Sequence, residues 1–323
     1  MQYFLPDSQD LVDPSFDFET ERRSVSRQRQ RDDLYAHEIF SDRMLDGILV
    51  SKGIVDGVQT GSRYTIAQRQ RLLRVGAHEF FRTATAPWRP ISLMGDCGAF
   101  TYVREALPPY SVEDVATFYL DCGFDFGISV DHVILEYNAA WDLSPGDVPA
   151  AVRERQIITL DLAEKFFAMH KRTKLPFQLI GVAQGWSPES YANAVRDLQT
   201  MGYSYIALGG MVPLKTPEIL ASLTAVAKVS KPGIRLHLLG ISRTDSLREF
   251  ASLGVSSFDS TSPLRQAFKD AKDNYYTMER EFTAIRIPQV EGNPSLQKGI
   301  SSGRILSLIH ISEPTRRTPI SYA

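Results

Sequence analysis

From Gly47 onward, short β-branched or apolar runs alternate with longer amphipathic segments, the pattern of a parallel sheet whose strands are joined by helices. The predicted strands are Gly47–Ser51, Ile91–Asp96, Phe126–His132, Phe177–Gln184, Tyr205–Met211, Arg235–Gly240 and Ser256–Ser260, with Phe282–Val290 as an eighth. Between them, Ser111-Val-Glu-Asp, Ser187-Pro-Glu-Ser and Thr216-Pro-Glu-Ile each place a capping residue ahead of a first helical turn. Gly202 and Gly254 follow the segments Ser187–Met201 and Ser246–Leu253, as left-handed helix caps do. Eight strand-helix units predict an α/β fold of the TIM (β/α)8 barrel type. An open doubly wound sheet shares this periodicity, but no glycine-rich dinucleotide fingerprint follows the first strand.

The rhythm divides the chain into residues 1–45, a polar N-terminal extension, and residues 46–305, the barrel domain. Residues 306–323, LSLIHISEPTRRTPISYA, match no element of a fold and read as a translated sequencing adapter. The expectation is therefore a barrel incomplete at its C-terminal end, with the native chain departing near Ile305. Composition adds bounds: 323 residues, 43% hydrophobic and 23% charged, suffice to bury a full core. Two cysteines, Cys97 and Cys122, form no disulfide framework, and nothing approaches the roughly 18 consecutive apolar residues of a membrane span. A cytoplasmic protein with no membrane partner is expected. The net charge of −2 exerts no global pull on nucleic acid, so such a partner needs a local patch. Arg22, Arg23, Arg27, Arg29 and Arg31 form one candidate, although Glu19, Glu21, Asp32 and Asp33 bracket them in the manner of an ordinary solvated surface.

In a barrel, chemistry sits where strands end and the following loops begin. Asp96, Asp131, Gln184, the Gly209-Gly210 pair and Asp259 fall at five predicted strand ends. Singly, each aspartate reads equally as a turn former or helix cap, and the glycines as a tight turn. As a set they would bring like charges to one mouth, which is costly unless they are paired or used. Two carboxylates about a sugar carbon are the equipment for replacing a group at an anomeric centre. A third carboxylate with an amide suits the donor and acceptor edge of a guanine-like base, and glycines let backbone approach a flat ring.

Four segments then carry a resemblance: MGDCGAF at 94–100, GVAQGW at 181–186, ALGGM at 207–211 and FDSTSPLR at 258–265. In order and spacing they are similar to the signatures of the tRNA-guanine transglycosylase superfamily, and most closely to its DNA-modifying branch, the DNA-guanine transglycosylases. The resemblance covers residues 47–290. It implies a base-exchanging pentosyltransferase in which Asp259 is the nucleophile at C1′ and Asp96 the acid and base. Asp131 and Gln184 would read the purine, with the Gly209-Gly210 backbone at its edge. DNA is the implied partner, guanine the base removed and a 7-deazaguanine such as preQ0 the base inserted, through a covalent glycosyl-enzyme; partner proteins of a modification system are a further implication. A tRNA-guanine transglycosylase and a non-catalytic nucleic-acid-binding subunit are the alternatives.

This sequence departs from the signatures at Ala99, Thr101, Trp186 and Ser260-Thr261-Ser262, which bears on substrate preference more than on chemistry. Trp186 could stack on a base or pack as an ordinary aromatic. Arg265 could contact a phosphate or pair with Asp259. The zinc centre of the tRNA enzymes, three cysteines and a histidine, has no counterpart here, so no metal or other cofactor is expected in this chain, with zinc possible in a complete protein. His132 is expected to be structural, and His237, between Leu236 and Leu238, to face an interior.

Overall fold

The computed structural model describes residues 1–7, 11–17, 20, 22–57, 64–88, 90–262, 275–276, 280–282 and 294–304. It divides into two compact units, one of residues 1–9 and 40–261, the other of residues 10–39 and 262–323.

The first unit is a closed barrel of eight parallel strands: β1 (Gln2–Pro6), β2 (Gly47–Ser51), β3 (Ser92–Asp96), β4 (Phe126–Ile128), β5 (Gln178–Ala183), β6 (Tyr205–Leu208), β7 (Arg235–Leu238) and β8 (Val255–Asp259). Neighbours in sequence are neighbours in space, and β1 closes the ring between β2 and β8, with Phe4 opposite both Gly47 and Asp259. Seven predicted strands are therefore in place. The eighth is a correction: the ring is completed by Gln2–Pro6, inside the segment expected to be an irregular extension. Of Phe282–Val290 only Phe282 is described, in a two-residue antiparallel pairing of Glu281–Phe282 with Tyr275–Tyr276. The physical reason is packing. Phe4 is fully buried and joins Leu49, Met94, Ile128, Ile180, Val182, Tyr205 and Ala207 in the barrel core, a contribution that a five-residue run beside polar sequence does not advertise.

Outside the ring lie α1 (Ile66–Val75), α2 (Val112–Cys122), α3 (Ala150–Thr173), α4 (Pro188–Met201), α5 (Thr216–Val229) and α6 (Leu247–Ser252). The predicted start signals act as expected at α2 and α4: Ser111 and Ser187 each accept from the backbone N–H three residues on, in reciprocal capping boxes. At α5 the cap is Lys215, one residue before the expected Thr216. Gly202 ends α4 with φ of 115°. Glycines set how closely α2 approaches the sheet, because a Cβ at Gly95 or Gly127 would lie 2.4 or 2.6 Å from the Tyr119 ring. Tyr119 uses that room to reach the Ile128 carbonyl with its hydroxyl, 2.9 Å away. No helix of the described residues is long and apolar enough to cross a membrane.

In the second unit, Leu11–Val12 pairs antiparallel with Leu34–Tyr35, and residues 294–301 form a helix. Here Arg27 is engaged internally, with Nε 2.6 Å from Asp33 and 3.0 Å from Asp13, and Arg23 lies 3.9 Å from Asp13. Arg22, Arg29 and Arg31 are exposed. Arg265 lies outside the described residues.

Candidate active site at the barrel mouth

The C-terminal ends of the strands bring together Asp96, Asp131, Gln184, Gly209-Gly210 and Asp259, all in the first unit. Asp96 is the last residue of β3, level with Ser51 at the end of β2. The chain then turns through Gly98, whose φ of 87° and whose lack of a Cβ, which would meet Ser51 Oγ at 2.5 Å, make glycine the residue that fits. That turn aims the Gly98 N–H at Asp96 Oδ2, 3.0 Å away. Burial, joined by the negative charges of Asp131 and Asp259, nevertheless pushes the Asp96 carboxyl up to about 7. A carboxyl so poised both gives and takes a proton near neutral pH.

Asp131 lies just beyond β4 and is buried, with both oxygens engaged. Gln184 Nε2 donates to Oδ2 at 2.6 Å and the Cys97 thiol donates to Oδ1 at 3.1 Å. Burial pushes Asp131 up to about 6 against these bonds. The Tyr102 hydroxyl lies 3.1 Å from both Cys97 Sγ and the Asp131 carbonyl oxygen, which locks the turn after β3 onto the end of β4. Burial first, then the charges of Asp131 and Asp96, keep the Cys97 thiol well above its ordinary range, so it serves as a donor and not as a thiolate. Gln184 is held from its other end, where Oε1 accepts from the Ile134 N–H at 3.1 Å. Its amide orientation is thereby defined.

Gly209 and Gly210 follow β6 against this amide. A Cβ on Gly209 would lie 2.3 Å from Gln184 Nε2, and one on Gly210, at φ of 75°, would lie 2.2 Å from the Ile134 carbonyl oxygen. Side chains here would push Gln184 off Asp131. Tyr191 of α4 fixes the pair from behind by donating to the Gly209 carbonyl at 2.7 Å.

Asp259 ends β8 and is 6% exposed. Its Oδ1 accepts from the Gly240 N–H at 2.9 Å and lies 3.1 Å from His237 Nε2. The charge of Asp259 acts on Asp96, so two carboxyl groups of different environment share the mouth. A carboxyl that exchanges protons beside a second one held by backbone and imidazole is equipped for displacement at a saturated carbon, with a buried carboxylate-amide pair nearby to recognise a polar ring edge.

Residues predicted only weakly, or not at all, complete the picture. Tyr102, Gly240 and the contact between His237 and Asp259 were not legible as site components; the clue at His237 was a polar residue between two leucines on a strand. His132 is turned to structure, with Nε2 2.9 Å from the Glu105 carbonyl oxygen and its backbone N–H donating to the Thr159 hydroxyl. Trp186 packs on Ile134, Val148 and Val152. The donors present do not fit a zinc centre of three cysteines and a histidine, since the chain has two cysteines and the Cys97 thiol donates a hydrogen bond to Asp131.

No family model matches the chain. It is 50% identical over 307 residues to a DNA-guanine transglycosylase from Salmonella montevideo, a match that covers 94% of this chain and 72% of that relative.

Proposed function

The chain belongs to the DNA-guanine transglycosylase family, and from that premise we propose that it removes guanine from DNA and inserts a 7-deazaguanine base through a covalent glycosyl-enzyme on Asp259. Asp259 attacks C1′, forming the carboxylate-C1′ bond as the C1′–N9 bond breaks. The bond's electron pair leaves with the purine, which takes its proton from Asp96. The incoming base then gives a proton to the Asp96 carboxylate, and its N9 attacks C1′ as the bond to Asp259 breaks. Two displacements at one carbon restore the starting configuration. No nucleoside triphosphate is consumed, because the glycosidic bond is exchanged and not made afresh.

The single observation that carries this reading is the contrast between the two carboxyl groups, Asp96 pushed up to about 7 and Asp259 held on one oxygen by Gly240 and His237. Asp131 and Gln184 supply an acceptor and an amide for the base edge, and Gly209-Gly210 leave the room in which that amide stays on Asp131. To reach C1′, the target nucleotide must be unstacked or single-stranded. The test is incubation with DNA and a radiolabelled 7-deazaguanine such as preQ0. Label enters DNA with the unaltered chain and not with Asp259→Ala. Label entering tRNA and not DNA would replace this reading with the tRNA-directed alternative. Loss of exchange in Asp259→Ala with DNA binding retained would separate a catalyst from a subunit that binds without reacting.

A further inference from the structure

Behind Asp259 runs a line of buried polar side chains that the exchange steps above leave unused. His237 on β7 is fully buried, with Nε2 3.1 Å from Asp259 Oδ1 and Nδ1 2.7 Å from Ser257 Oγ. Ser257 on β8, paired in register with His237, in turn hydrogen-bonds the Tyr205 hydroxyl on β6. Ser257 and Tyr205 are also fully buried. The Phe4 ring meets the imidazole edge-on at 6.0 Å, and the Arg235 guanidinium covers the Tyr205 ring at 4.1 Å. These contacts wall the line with aromatic carbon inside the barrel core.

Hydrogen-bond inventory gives the line a direction. A carboxylate only accepts, so Nε2 carries the proton in its bond to Asp259. With a neutral imidazole, Nδ1 is then the acceptor for the Ser257 hydroxyl, and Ser257 Oγ accepts from Tyr205. Every member is satisfied in that arrangement.

We propose that His237 is the positioning residue of the nucleophile: its Nε2–H and the Gly240 N–H grip Asp259 Oδ1 so that Oδ2 is presented to C1′, and Ser257 with Tyr205 fixes the imidazole tautomer that does so. The proposal rests on the reading of Asp259 as nucleophile. Without His237, Gly240 alone holds Oδ1, and the carboxylate turns about its Cβ–Cγ bond. Displacing a reacting atom by about 1 Å costs on the order of a hundredfold in rate. Substrate affinity is untouched, because His237 is buried behind the carboxylate.

The experiment measures, under single-turnover conditions, formation of the covalent adduct between the full chain and a guanine-containing DNA oligonucleotide, with DNA affinity and melting temperature followed in parallel. His237→Leu is expected to form adduct about a hundredfold more slowly at unchanged DNA affinity. His237→Gln, whose amide nitrogen can donate where Nε2 does, is expected to recover at least about tenfold of that loss. Ser257→Ala, which frees the tautomer but keeps the imidazole, should fall about tenfold. Wild-type adduct formation in His237→Leu overturns the proposal, as does a His237→Gln variant no faster than His237→Leu while both melt cooperatively and bind DNA. Should His237→Leu fail to fold, His237→Gln and Ser257→Ala decide: wild-type rates in Ser257→Ala together with a hundredfold loss in His237→Gln overturn it. Adduct formation by Asp259→Ala would instead overturn the nucleophile assignment itself, a result distinguishable from all of these.

Discussion

At the scale of single residues, Asp96 sits where burial and two neighbouring negative charges act in the same direction, and its carboxyl at about 7 follows from that placement. On the proposed reading the acid form serves the departure of guanine, so the release rate should fall about tenfold per pH unit above 7, while Asp96→Asn should lose this limb and be slower by about 10² to 10⁴. A pH series of single-turnover guanine release checks both; a flat wild-type profile from pH 6 to 9 would contradict the assignment. The same two carboxyls make a stability prediction. Asp96 at about 7 and Asp131 at about 6 both lie above the ordinary value of about 3.9. Between pH 4 and 7 the native chain therefore holds protons that the unfolded chain releases, and stability contributed by these groups falls as pH rises through that window. Melting temperature should decline from pH 5 to 7.5, and decline less steeply in Asp96→Asn. The aspartates themselves were readable from the sequence because they follow apolar runs. Their partners were not: Cys97 and Tyr102 meet Asp131 only after two strands lie side by side.

At the scale of elements, strand ends carry the chemistry and glycines carry the spacing between layers. Gly95 in β3 accommodates the Tyr119 ring of α2, where a Cβ would lie at 2.4 Å. Gly95→Val should overpack this contact, destabilising by about 1 to 3 kcal/mol. For a unit of this size that is a drop of several degrees, about 2 to 4 °C for each kcal/mol, read by thermal melting. An unchanged melting temperature would mean that α2 can move outward at no cost. Seven of the eight strands were legible because each is a largely buried run of three to six residues bounded by turn signals, as in Gly47–Ser51. β1 was not. Gln2–Pro6 ends in a proline and is followed by the largely polar residues 7–46, and its role depends on Phe4 meeting Gly47 and Asp259 from opposite sides.

At the scale of the whole molecule, β1 ties β8, the strand that ends in Asp259, to the rest of the ring. Phe4 stands opposite Asp259, and the Tyr3 hydroxyl donates to the Ser260 carbonyl at 2.8 Å. Deleting residues 1–7 removes a core aromatic and leaves two unpaired strand edges, β2 and β8. Such a variant should lose cooperative melting and form no covalent adduct; a cooperative transition at the original temperature would refute the part given to β1. The pairing of Gln2 with Ser257 also spans roughly 250 residues, a contact of very high sequence separation. During synthesis, β1 leaves the ribosome first and must wait, exposed, until the strand bearing Asp259 emerges. A nascent chain therefore carries Asp96 long before β8 brings Asp259 to the same mouth, so on the proposed reading no partly translated copy holds both carboxyl groups that the exchange requires.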